Sequence, residues 1–188
     1  VNAMALDARH GVLHDPHNGV SDLEDGVLRA VDYNAFVQDP LRVLRGARFA
    51  ARLEFDIEDD TKGAMWEAAE HLPSLPQERV RRELEKVLVE ADKPRRFFDV
   101  LREVAALGYV LPELHDLTGV PAGPEQYHQE GDALEHSLLV LQEMKKIRPD
   151  DELALLMALF HDIGKGVTDN DDLPNHPHHA RDGAEIAQ

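Results

Sequence analysis

The chain has 188 residues, a net charge of -17 and 43% hydrophobic side chains, enough for one large or two small domains with a real core. It has no cysteine, which excludes disulfide frameworks and thiolate metal sites. No apolar run approaches the roughly 20 residues a membrane-spanning helix needs, and the start lacks the basic-then-apolar pattern of a signal peptide. The expected location is the cytoplasm, with no membrane partner.

Residues 1–35 read as a β-rich edge. "NAMALD" and "VLHDP" are short strands around a turn, "HNGVSDLEDG" is a loop with at most one helical turn, and "VLRAVD" is a third strand. Three such strands hold too little apolar surface to stand alone, so they read as the margin of a domain whose remainder precedes residue 1.

From Asp39 the pattern turns helical. Asp39-Pro40 is a start signal, an N-cap acceptor before a proline. The helix it opens runs to about Arg52 and sets Arg42, Arg45, Arg48 and Arg52 on one side, with Val43, Leu44, Ala47 and Ala50 on the other. Further helices are predicted over about Asp60–His71, from Pro76 to near Asp92, and through "PRRFFDVLREVAALG" to a terminal Gly108. Residues 109–131 are rich in Pro and Gly and predict a linker. Helices over Asp132–Ile147 and Asp150–His161 follow, then a polar loop and a helix from about Pro177.

Charge is distributed unevenly. Residues 41–106 hold 13 of the 20 basic side chains and sum to -1, whereas residues 107–188 sum to -11. Planar, forked guanidinium groups suit phosphates and nucleobase edges. The competing reading is a set of solvated helix faces with i,i+4 ion pairs. Overall acidity opposes non-specific nucleic-acid binding, although a local basic surface can still act.

Among three His-Asp pairs, only His161-Asp162 leaves an apolar helix ("LALLMALF") for a glycine-containing turn ("IGKG"). His136 lies 25 residues upstream, and His176, His178 and His179 follow 15 to 18 residues downstream. Imidazole with carboxylate suits a borderline or hard divalent ion with open positions, and such an ion lowers the pKa of its bound water. Lys165 is placed to meet a phosphate oxygen as a point charge. The competing reading makes His136 a satisfied core histidine and Asp162 a cap.

His136, His161-Asp162 with "GKG", and His179 before "ARDGA" resemble the HD superfamily of metal-dependent phosphohydrolases. The stretch "VNAMALD…GVLHDPHNGVSDLEDGVLRAV…FVQDPLRVLRGARFAARLEF…LPQERVRRELEKVL" resembles bacterial tRNA nucleotidyltransferases, the CCA-adding enzymes, of the class that also contains poly(A) polymerases. One subgroup carries an HD domain in this order. The resemblance implies a mainly α fold: a β-rich remnant of a nucleotidyltransferase head over 1–35, a neck and body over 36–108, a linker over 109–131 and a truncated HD domain over 132–188. It implies template-independent addition of C and A to tRNA 3′ ends from CTP and ATP with Mg²⁺. Asp39, Arg42, Arg45 and Arg48 would face the nucleotide. His136, His161, Asp162 and His179 would hold a divalent metal for phosphohydrolase chemistry, with Lys165 on the phosphate.

Two departures qualify the resemblance. Gln38 stands where the family has an acidic residue, and the family's paired metal-binding aspartates lie before the motif in which this chain begins, so no catalytic residue for nucleotidyl transfer is assigned within it. The last HD aspartate is expected beyond the chain end. The rivals are an HD phosphohydrolase with a degenerate front half and a non-enzymatic RNA-binding module.

Overall fold

A proline at residue 40 and a run of small and branched apolar residues after it fix the central element of the computed structural model, which describes residues 3–187. Val1 and Asn2, the start of the first motif, lie outside the described residues. The front comprises β1 (Ala5–Asp7) and β2 (Val12–His14), an antiparallel hairpin, then α1 (Gly19–Glu24) and β3 (Val27–Leu28). β3 does not join that hairpin. After α2 (Ala35–Gln38) and α3 (Leu41–Leu53), it pairs in parallel with β4 (Asp56–Ile57), a partner that the two-residue strand in "EFDIEDD" gave no periodic signal for.

α3 is the hub. Val43, Leu44, Ala47 and Ala50 are fully buried, as their shared helical face requires, each large side chain contributing about 1.5–3 kcal/mol by leaving water. Asp39 is extended and its carboxylate makes no cap hydrogen bond. It bonds Arg79 instead, at 3.3 Å.

The helical series continues with α4 (Asp59–Ala69), α5 (Gln77–Glu90) and α6 (Arg95–Glu103). α6 stops before the expected Gly108. Ala105 takes the left-handed conformation, φ 52°, and Ala106 N–H reaches back to the Leu101 carbonyl at 2.7 Å, a Schellman-type closure built without glycine. Gly108 lies inside α7 (Leu107–Val110), which α8 (Pro112–His115) follows. The front of the expected linker is therefore packed structure: Leu114 and Leu117 are fully buried.

α9 (Ala133–Ile147) and α10 (Glu152–Phe160) start on Asp132 and Asp151, whose carboxylates accept from Glu135 N–H and Ala154 N–H. A 3₁₀ turn (Ile163–Val167) and α11 (His179–Ile186) complete the described chain. The same apolar cluster contains Leu44 of α3, Phe97 and Phe98 of α6, and Leu134, Leu138 and Leu159 of α9 and α10. The two halves of the chain thus share one core. No helix among the described residues is long and apolar enough to cross a membrane.

Polar clasps on α9 fasten that union. At its first turn Glu135 receives Arg95 at 2.6 Å and Arg102 at 2.5 Å from α6. Near its last turn the buried Lys145 donates to the carbonyls of Leu88, Val89 and Pro149 at 2.7–2.8 Å. The first two are final-turn carbonyls of α5 with no helical partner, at the negative end of its dipole. Lys145→Ala leaves these acceptors unpaired and is expected to destabilise the protein by about 2–3 kcal/mol in urea denaturation. A loss below about 0.5 kcal/mol would show that water replaces the ammonium at no cost.

Candidate functional site

Two polar constellations stand on this scaffold. The first is a cavity of about 610 Å³ between α3 and the front strands. Arg42 and Arg45 line it, together with Arg29, Asp32 and His17, and with apolar walls from Leu28, Phe36 and Phe49. Four cationic or titratable groups beside one carboxylate and an aromatic face can meet a phosphorylated, planar ligand.

The arginine stripe does not act as a unit. Arg48 is buried, with Nε 2.7 Å from Glu83 Oε2, Nη1 3.5 Å from Glu90 and the guanidinium 4.6 Å from the centre of the Phe49 ring. It departs from the expectation of a nucleotide-facing side chain, because the helix turns it toward α5. Arg52 also pairs with Glu90, at 3.0 Å. Asp39 is not part of the cavity wall, and its carboxylate is engaged by Arg79. The sequence reading missed Arg29, Asp32 and His17, whose arrival at α3 depends on the β3–β4 pairing rather than on any local pattern.

The other basic side chains are mostly committed. Arg81 pairs with Glu85, Arg82 with Glu78, Lys93 with Glu54, and Arg96 with Asp56 and Glu103. A phosphate backbone meeting these helices would compete with resident carboxylates. That explains how arginine-rich helices coexist with a regional charge near zero.

The second constellation gathers around Asp162, which is buried at the end of α10. His161 Nε2 lies 3.0 Å from Asp162 Oδ2, His136 Nε2 3.8 Å from the same oxygen, and His179 Nε2 3.7 Å from Oδ1. Each imidazole is oriented from behind. His161 Nδ1–H donates to the Ala158 carbonyl at 2.9 Å, His179 Nδ1–H to the His176 carbonyl at 2.6 Å, and His136 Nδ1–H to Glu130 at 2.6 Å. Carbonyl and carboxylate oxygens only accept, so all three rings keep the Nε2 lone pair free in the neutral form.

Local packing delivers the last of them. A Cβ on Gly164 would collide with the backbone of His179 and Gly183. Only glycine lets the 3₁₀ turn lie against α11 and bring His179 to Asp162.

Electrostatics favour ionised Asp162. Burial alone would raise its carboxyl, but hydrogen bonds from His161 and Lys165 outweigh that and hold it below the usual carboxylate range. The hydrogen bond to Asp162 raises His161 above an ordinary imidazole, against the opposing effect of burial. Glu130 is held down at about 2, chiefly by its hydrogen bond with His128.

Lys165 departs from its expected role. It is buried, 2.7 Å from Asp162 Oδ2 and 2.6 Å from the Ala122 carbonyl, so it neutralises the aspartate rather than reaching outward. His176 is no ligand either. Its Nε2–H donates to the Pro121 carbonyl at 2.7 Å and its Nδ1 meets Thr168 Oγ1 at 2.9 Å, while burial lowers its pKa.

The donor set fits a divalent cation. Two ligands each about 2.1 Å from a common ion stand roughly 3.0–3.5 Å apart, close to the 3.0–3.8 Å between these nitrogens and the carboxylate. His136, His161 and Asp162 offer ligand atoms all within 4.8 Å of one another, and His179 faces the second carboxylate oxygen. Glu130 and His128 were missed as members of this neighbourhood. Their signal in the sequence was only a histidine and a glutamate two residues apart in a polar loop.

Comparison with known proteins follows the same division. Residues 54–118 match the family described as the probable RNA and SrmB-binding site of polymerase A, and residues 133–188 match the HD domain. A multifunctional CCA protein of Stenotrophomonas maltophilia is 44% identical over 188 residues, covering 97% of this chain and 46% of that protein. One from Vibrio vulnificus is 43% identical over 191 residues, covering 99% and 46%. The chain spans about half the length of the curated relatives it matches. Among solved structures, the Thermotoga maritima CCA-adding enzyme complexed with tRNA-CCA aligns at a TM-score of 0.55 with 28% identity, over 84% of this chain and 40% of that one. A CCA-adding enzyme with CTP shares the fold at a TM-score of 0.63 and 24% identity, over 95% of this chain and 40% of that one.

Proposed function

We propose that this chain, whose two halves match those family models and which resembles the multifunctional CCA proteins over nearly its whole length, forms the nucleotide-selecting and HD portions of a tRNA nucleotidyltransferase. The whole protein adds C and A to tRNA 3′ ends from CTP and ATP. Residues 36–108 choose the nucleotide and meet the tRNA, and residues 132–188 form a metal-dependent phosphohydrolase. The single observation that carries the first role is that Arg42 and Arg45 share one cavity wall with Arg29 and Asp32.

The chemistry of selection follows from donors and acceptors. Cytosine and adenine both present an exocyclic amine beside a ring nitrogen, so a fixed guanidinium and a fixed carboxylate complement either base. Arg42 and Arg45 supply the donors. Asp32 is the carboxylate lining the cavity, and Asp39 would supply the acceptor only by turning from Arg79, which donates to both of its oxygens. Arg48 contributes only by fixing α3 against α5. Mg²⁺ for transfer belongs to carboxylates outside these residues.

At the HD centre, His136, His161, Asp162 and His179 would hold a divalent ion, which supplies Lewis acidity and a bound water of lowered pKa. The chain's own contribution is to keep three Nε2 atoms and one carboxylate aimed at one point. Lys165 holds the carboxylate charge until an ion binds.

Incorporation of CTP and ATP into tRNA lacking CCA, measured with the intact protein, tests the first role. Arg42→Ala and Arg45→Ala are each expected to lower kcat/KM about 10- to 100-fold for both nucleotides. Unchanged incorporation in both variants would refute the assignment.

A further inference from the structure

The loop before α9 brings a second layer of side chains against the Asp162 centre. Glu130 Oε1 accepts His136 Nδ1–H at 2.6 Å and His128 Nδ1–H at 2.9 Å. The His128 ring stands edge-on to His136, 5.1 Å between centres. His128 fits only because residue 123 is glycine, since a Cβ there would lie 2.5 Å from the ring. The loop itself is tied at several points: Gly119 N–H to Asp132 at 2.7 Å, Ala133 N–H to the Val120 carbonyl at 2.7 Å, and Lys165 and His176 to the carbonyls of Ala122 and Pro121. A carboxylate fastened this way and aimed at the far nitrogen of a ligand imidazole has one evident use.

We propose that Glu130 is a positioning residue for the divalent-metal centre: it holds His136 as the Nδ1–H tautomer with Nε2 turned toward Asp162, and His128 holds Glu130. The inference rests on the HD reading above, and it assigns work to two residues outside the ligand set. A carboxylate behind a ligand imidazole fixes the ring and raises its basicity.

The alternative occupant of this corner is a second ion, since the ligand atoms of His128, Glu130 and His136 also lie within 4.8 Å of one another. It is disfavoured by stoichiometry of protons and lone pairs. His136 has one ring proton and one free lone pair in its neutral form. To bind an ion through Nδ1 it would have to give up the Nε2 pole facing Asp162 or lose its last proton.

The test uses the intact protein with Mn²⁺ or Co²⁺ as probe in titration calorimetry, and nitrogen NMR of the histidine rings without metal. Wild type is expected to bind one ion at this centre. Glu130→Ala is expected to bind it 10- to 100-fold more weakly, with Glu130→Gln intermediate, and the metal-free His136 to shift from one tautomer to a mixture. A merely structural residue would not move that tautomer. Unchanged affinity in Glu130→Ala, or a wild-type His136 protonated at Nε2 alone, would overturn the proposal. So would a second ion at this corner lost in Glu130→Ala. No binding by wild type would instead sink the HD reading, while the tautomer still reports whether Glu130 orients His136.

Discussion

Glu83→Ala is expected to cost about 3–5 kcal/mol of folding stability, because it strands a guanidinium in the core. Arg48 and Glu83 are both nearly sealed, at 7% and 5% exposure, with 2.7 Å between Nε and Oε2. Glu90 is a weak substitute at 3.5 Å and is itself shared with Arg52. The double variant Arg48→Met/Glu83→Leu is expected to lie within about 1–2 kcal/mol of wild type, since removing both charges removes the desolvation penalty with the attraction. The loss in Glu83→Ala should change little with salt, because buried pairs are poorly screened. Urea denaturation of both variants measures it. A cost below about 1 kcal/mol for Glu83→Ala would show that Arg48 escapes to solvent, and would reopen it as a ligand contact.

His161→Ala is expected to weaken divalent-metal binding roughly 70- to 900-fold. Structural zinc sites gain about 10–16 kcal/mol from four ligands, hence about 2.5–4 kcal/mol for each, which is a factor of roughly 70 to 900. His161 makes the shortest approach to Asp162 among the three imidazoles. Its side chain is partly exposed, so its loss opens no core cavity. The fold, read by circular dichroism, should persist while the metal is lost. Metal affinity should also fall with pH. The proton on His161 is held more tightly than usual by Asp162, so the ion meets competition already above the ordinary imidazole range, and increasingly as pH drops through it. Undiminished metal content in His161→Ala would remove the centre from consideration.

Periodicity made the core face of α3 legible, since Val43, Leu44, Ala47 and Ala50 are where a 3.6-residue repeat places them. The helices expected over Asp132–Ile147 and Asp150–His161 are α9 and α10, capped by Asp132 and Asp151, whereas the cap read from the sequence, Asp39, bonds Arg79 instead. Depth was not legible. A stripe of arginines tells which face they share, but Glu83, which decides that Arg48 is buried, lies 35 residues away. Lys165 misled for the same reason, because its partner carbonyl at Ala122 is 43 residues off. Punctuation failed where backbone geometry was met by an unusual residue: Ala105 takes a left-handed turn that glycine normally supplies. The composition of residues 109–131 concealed Leu114 and Leu117, two apolar anchors inside a Pro- and Gly-rich stretch. At the metal centre the candidate ligands could be named from histidines and aspartate, whereas Glu130 could be placed only after folding brought the loop to His136.

α3 divides its arginines between a cavity and the core. A crystal structure of the intact protein with CTP tests that division most directly. It should show the base against Arg42 and Arg45 in the cavity bounded by Arg29 and Asp32, with Arg48 still on Glu83. A nucleotide seated elsewhere, or Arg48 released from Glu83 to reach it, would contradict the account.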